Sequence, residues 1–397
     1  MNEAIDWIRE IETKQQDIIT YRRHFHRHPE LGLKEHKTSM YIKRELERMG
    51  ISYEEVEPTG IVASIGKEES DKVIAIRADM DALKMKERTD VSYQSENDGV
   101  MHACGHDGHM AALLGACSVL KQLEEQLSIM VKVIFQPSEE NCKGAKLMIE
   151  SGLLDKVQEI FGLHIFADIP AGKVSVEKGP RMAATDQFTI NIKGKSGHAG
   201  KPHQCVDAVV VVAAIVSGLQ TIISRQLDPL HSAVVSIGHM EAGTQYNIVA
   251  GSGRLDGTVR SFSIEDSLLI EKAIKKMVKS IAESFGANGE VSYYRAHPAV
   301  INNEGVTENV LAGVKKISKE QDLISIPRMF LGEDFANYLK KIPGSFAFIG
   351  AGNKEKNCIF PNHHDQFNLD ESILIDCTKL YVAYVMEMND QSQCENV

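Results

Sequence analysis

The chain has 397 residues, a formal net charge of −11 and seven cysteines. Such a length exceeds one compact core and points to two domains or one domain with an insertion, and the acidic balance argues against a nucleic-acid or anionic-membrane partner, which would call for a basic face. A small-molecule substrate is favoured; the odd, irregularly spaced cysteines fit a reducing, cytoplasmic setting rather than a disulfide framework.

In chain order, an amphipathic helix is predicted ahead of His28-Pro29, with His24, His26 and His28 capping or packing its end, and a second over 37–49, stopped by Gly50. The start of the chain, 1–16, is charged and lacks the apolar core of a signal peptide. Strands at 61–65 and 73–76, a helix at 107–123, a strand at 129–135, a helix at 144–151 and a strand at 160–164 continue an alternation that implies an α/β fold, with a mostly parallel sheet flanked by helices. From Asp186 the pattern becomes strand 188–192, helix 206–224, strands 233–240 and 254–262, helix 264–285 and strand 290–294, the β-α-β-β-α-β order of a ferredoxin-like unit.

Because His363 is still to come, this unit reads as an insertion, with the catalytic domain at 1–183 and 296–397, the inserted domain at 184–295, and hinges near 182–185 and 295–298. The most apolar stretch, 208–223, is broken by Ser217, Gly218 and Gln220 and falls short of the roughly 20 residues a membrane span takes. It reads as a buried helix, and no membrane partner is expected.

Between Met101 and His109 stand three imidazoles, a thiol and a carboxylate around a glycine. Cys104 and His106, two apart in a tight loop, can turn toward one ion, and thiolate with imidazole suits zinc and its neighbours; His102 and His109 read as supporting or packing residues. Glu139 and Glu140 follow the strand 129–135, where one carboxylate can bind an ion while the other moves a proton. His164 closes the strand 160–164, and one of His363 and His364 would complete the set from a polar loop after a strand at 346–350. These positions gather at one edge of the sheet, where open α/β folds collect ligands. Neither His-Glu-x-x-His nor Gly-x-Ser-x-Gly occurs, which removes helical zinc proteases and serine hydrolases with a nucleophile elbow.

Arg77-Ala78-Asp79-Met80-Asp81-Ala82-Leu83, the 101–109 string, Gln136-Pro137-Ser138-Glu139-Glu140, Gly162-Leu163-His164, the run from Ser196-Gly197-His198 to His203 and Gly332-Glu333-Asp334-Phe335 are together recognisable. Nearly end to end, the chain resembles the metal-dependent amidohydrolases that include hippurate hydrolases, N-acetyl-diaminopimelate deacetylases and auxin-conjugate hydrolases. The resemblance implies two divalent ions (Mn, Zn or Co) on Cys104, His106, Glu140, His164 and a late histidine, placed at His363 by its spacing to Phe367, with Glu139 as general base and then acid. It further implies a lid and dimerisation role for the inserted domain, a homodimer, oxyanion contact by His198, and substrate-carboxylate contacts from Asn247 and Arg260. The expected reaction is amide hydrolysis of a small N-acyl amino acid. A dipeptidase or carboxypeptidase using the same metals is the second reading, and non-catalytic metal or amino-acid binding a third.

Overall fold

The computed structural model describes residues 6–395. The chain divides into two compact units: one runs up to Arg181 and takes in Ile301–Pro327 and the chain from Asp334, and the other comprises Met182–Val300 and Arg328–Glu333. The return to the first unit comes at 300/301 rather than 295/296, because the strand Asn288–His297 belongs to the second unit's sheet.

The first unit is built on a seven-stranded sheet whose four central strands, Met130–Gln136, Val73–Asp79, Glu159–Pro170 and Gly344–Gly352, run parallel in that spatial order. Ser52–Val56 and Gly60–Gly66 extend it antiparallel at one side, and Val174–Ser175 at the other. A strand covered on both faces should be apolar throughout, and Val73–Asp79 is buried at every residue. Its last turn of sequence nevertheless carries Arg77 and Asp79. The helix His106–Gln122 is buried along almost its whole length, packed by Gln15–Arg27 and by Leu374–Glu395. Leu374–Glu395 also packs on Glu304–Ile317, a second helix beyond those predicted.

One strand end is corrected. His164 stands inside its strand rather than at the end, since parallel pairing with Gly344–Gly352 carries the strand on to Pro170. Of the three early histidines, His28 caps the helix and His24 packs on Tyr41, as expected, while His26 is buried, 2.8 Å from Asp107 and 3.1 Å from Glu87.

In the second unit, Val234–Ala242, Ser252–Ser261, Ala184–Lys193 and Asn288–His297 form an antiparallel sheet in that spatial order. Two helices, Ala208–Arg225 and Ile264–Ser284, pack on it. Phe188, Ile190 and Ile192 alternate inward to meet Val211, Val212, Ile215, Ile270 and Ile274, the period of two expected of a sheet with one covered face. By length and composition Ala208–Arg225 passes for a membrane span, with a third of that window buried. One of its faces packs on the sheet, as a buried helix should, through Val211, Val212, Ile215, Leu219 and Ile222, whereas Val209 and Val210 are 41% and 47% exposed.

Candidate metal centre

The 101–106 segment turns at Gly105, whose φ of 92° is open to glycine, and the helix His106–Gln122 starts directly behind it. This turn puts the Cys104 thiol and the His106 ring on the same side. Cys104 Sγ lies 3.4 Å from His164 Nε2 and 3.3 Å from His363 Nε2. His363 Nε2 in turn is 3.2 Å from Glu140 Oε1, without the alignment of a hydrogen bond. Ligand atoms of three sets, Cys104/His106/His164, Cys104/Glu140/His363 and His106/Glu139/Glu140, lie within 4.8 Å of one another in each set.

Neighbouring carbonyls choose the ring tautomers, because a carbonyl oxygen can only accept. His106 Nδ1–H donates to Asp81 O at 2.8 Å and His164 Nδ1–H to Ile165 O at 2.9 Å, leaving each Nε2 with its lone pair toward the cluster. That is how metal-binding imidazoles are oriented. His106 Nε2 is buried without a hydrogen-bond partner, an expensive arrangement unless something else satisfies the lone pair.

Two acids are held by a third. Asp81 accepts Glu139 N–H on one carboxylate oxygen (2.9 Å) and Glu140 N–H on the other (3.1 Å), so a single side chain places both members of the pair. The adjacent His363 and His364 are separated by backbone conformation. His363 adopts φ 67°, and its N–H donates to Ala103 O at 2.7 Å. His364 instead stacks on Phe360 and accepts Gln366 N–H on Nδ1.

The proton affinities reflect this crowding. Burial opposes charge on His106, yet Asp79 and then Cys104 hold its pKa well above the ordinary value, so a proton competes with metal for its Nε2. His363 is pushed up to about 10 by Cys104 and Glu140, while burial drives the Cys104 thiol up and His164 well down. The donor set of thiol, imidazoles and carboxylates, with one buried ring nitrogen unpartnered, therefore fits divalent metal.

The sequence pattern of Peptidase family M20/M25/M40 matches residues 75–387. The chain belongs to this family. It is 40% identical over 365 residues to an N-acetylcysteine deacetylase of Bacillus subtilis, covering 90% of this chain and 93% of that one. It is 37% identical over 372 residues to thermostable carboxypeptidase 1 of Saccharolobus solfataricus, at 92% and 93% coverage. The crystal structure of a dinuclear metal-binding peptidase of the M20 family from B. subtilis superposes with a TM-score of 0.85 at 34% identity, covering 96% of this chain and 99% of that one. This M20 chain is thus a metal-dependent hydrolase, with donor groups enough for two divalent ions.

The three remaining site candidates lie in the second unit. His198 is exposed, pairs with Ile248 in a short two-stranded ladder and accepts Gly200 N–H on Nδ1 at 2.9 Å. Asn247 is exposed beside it, its carbonyl accepting Ala199 N–H at 3.1 Å. Arg260, half-buried on the strand Ser252–Ser261, donates to Thr258 Oγ1 and to Val259 O. In the first unit, sequence reasoning gave no role to Asp79, Asp81 or Asn362. Asn362 donates to both Cys104 O and Ile165 O at 2.9 and 3.0 Å, tying together the two segments that carry Cys104 and His164. A charged residue inside an otherwise apolar strand, as in Val73–Asp79, is the signal that marks Asp79; Asp81 and Asn362 lie outside strands and carry no such signal.

Proposed function

We propose that this M20 chain hydrolyses the amide bond of an N-acyl amino acid or a similar small N-acyl compound, releasing a carboxylic acid and an amine. The convergence of Cys104, His106, Glu140, His164 and His363 beside Glu139 carries this reading. Those five residues would hold two divalent ions, which would polarise the acyl oxygen and acidify the attacking water. Glu139 takes the water's proton and returns it to the leaving nitrogen; supporting this role, it is 8% exposed and Asp334 N–H donates to its Oε1 at 3.2 Å.

Chelation should abolish turnover of acetyl, benzoyl and indoleacetyl amino acids, and Mn, Co or Zn should restore it. Full turnover by metal-free protein would sink the proposal. Dipeptides belong in the same panel, since a relative named as a carboxypeptidase favours a second reading in which a peptide fills the acyl pocket. An open cavity of about 440 Å3 beside His363, lined by Met85, Lys86, Arg88, His364 and Asp365, offers room for part of either substrate.

The inserted unit serves as a ferredoxin-like lid and dimerisation domain. Its spatial strand order supports this, as do the open edge of Val234–Ala242 and the exposed Val209 and Val210, an apolar surface suited to a second copy. Asn247 and Arg260 contact the substrate's carboxylate, and His198 donates to the developing oxyanion. His198→Ala should keep metal content and thermal stability while lowering turnover roughly 10²- to 10³-fold; wild-type turnover would remove His198 from catalysis. The seven free thiols support a cytoplasmic setting.

A further inference from the structure

The central strand Val73–Asp79 reads Val-Ile-Ala-Ile-Arg-Ala-Asp, and its Arg77 side chain is wholly buried. Burying a guanidinium is costly unless each donor is met, and here three nitrogens meet three different acceptors: Nη1 reaches Asp79 Oδ2 at 2.8 Å, Nε reaches Gln136 Oε1 at 2.9 Å, and Nη2 reaches Asp334 Oδ1 at 3.2 Å. Both carboxylates are also wholly buried.

From these partners two arms run to the metal centre. Through Asp79, one arm reaches the imidazoles: Asp79 Oδ1 accepts His109 Nδ1–H at 2.6 Å, and His109 Nε2 accepts the backbone N–H of Ile165 at 2.9 Å, the residue next to His164. Asp79 Oδ2 lies 3.6 Å from His106 Nε2. Through Asp334, the other arm reaches Glu139. The Asp334 side chain is locked by Arg77, by Gln136 Nε2 at 2.8 Å and by Ala145 N–H at 3.0 Å, and its own backbone N–H donates to Glu139 Oε1.

We propose that Arg77 is a positioning residue that keeps the base carboxylate of Glu139 and the imidazoles of His106 and His164 in register with one another. A role confined to charge neutralisation would be met by any buried cation. The planar fork does more: its fixed angles set the separation of Asp79 from Asp334, and with it the separation of the two arms. A lysine delivers the charge from one point and cannot satisfy all three acceptors in that geometry. The assignment of the second arm rests on the proposed role of Glu139.

The test uses full-length protein reconstituted with cobalt. Arg77→Lys should bind cobalt and fold, yet lose roughly 10- to 100-fold in kcat, the scale of a small misplacement, with little change in KM and with displaced visible cobalt bands. Gln136→Met, nearly isosteric, removes both the acceptor for Arg77 Nε and the donor to Asp334 without changing charge, loosening the same frame, and should shift both readouts in the same direction by less. It carries the test alone if Arg77→Lys fails to fold. Wild-type kcat together with an unshifted cobalt spectrum, in a variant that has lost only thermal stability, would overturn the proposal. In a Glu139→Gln background Arg77→Lys should cost little further rate, because both act on one step; fully additive losses would also overturn it. Wild-type turnover by Glu139→Gln alone would refute the base assignment separately, a result the cobalt spectrum of Arg77→Lys does not depend on.

Discussion

Glu139→Gln should lose about two to four decades of turnover, the usual contribution of a positioned acid–base group, while retaining its metals and its fold. The amide is nearly isosteric and keeps an oxygen that can accept the Asp334 N–H, so the change removes the proton-accepting charge and little else. Glu140→Gln should behave differently: its Oε1 faces His363 and belongs to the cluster with Cys104, so loss of charge there should release metal. Measuring metal content alongside kcat separates the two. Exchange of the two phenotypes would reverse the roles of the acidic pair.

The second large effect is expected at Cys104. Cys104→Ala removes the atom that approaches both His164 Nε2 and His363 Nε2, and should lower both bound metal and rate, with full metal content identifying the thiol as structural only. Cys117 supplies the control, being a wholly buried thiol of the helix His106–Gln122 with no place in the cluster; Cys117→Ala should leave metal in place and cost stability alone, as small core truncations do. By the same reasoning His363→Ala should lose metal and His364→Ala should not. The stacking of His364 on Phe360 accounts for the difference.

Sequence alone carried the chemistry that is local. Cys104 and His106 are readable because two residues around a glycine share one turn; Glu139-Glu140, a pair that solvation alone could explain at a strand end, gains meaning only beside the other candidate ligands, since a hydrolytic metal site needs one carboxylate to bind and one to move a proton. The alternation of strand and helix and the change of pattern at Asp186 are similarly local, since periodicities of 2 and 3.6 reflect which face is covered. Boundaries slipped where pairing partners extend an element, as at His164, whose strand continues to Pro170 only because Gly344–Gly352 lies alongside.

Tertiary structure decided which donors are aimed and what aims them. His363 and His364 are equivalent in composition, and the distinction between them is a left-handed backbone at His363 and an N–H donated to Ala103. Arg77 meets Asp334 across 257 positions of sequence, and Asp81 reaches the Glu139 and Glu140 amides across 58 and 59. No spacing rule reports such contacts, because an ion pair or hydrogen bond depends on distance in space, and separation along a chain folded into a parallel sheet says almost nothing about that distance. The residue types that can bind metal were determined by the sequence; their common orientation was determined by the fold.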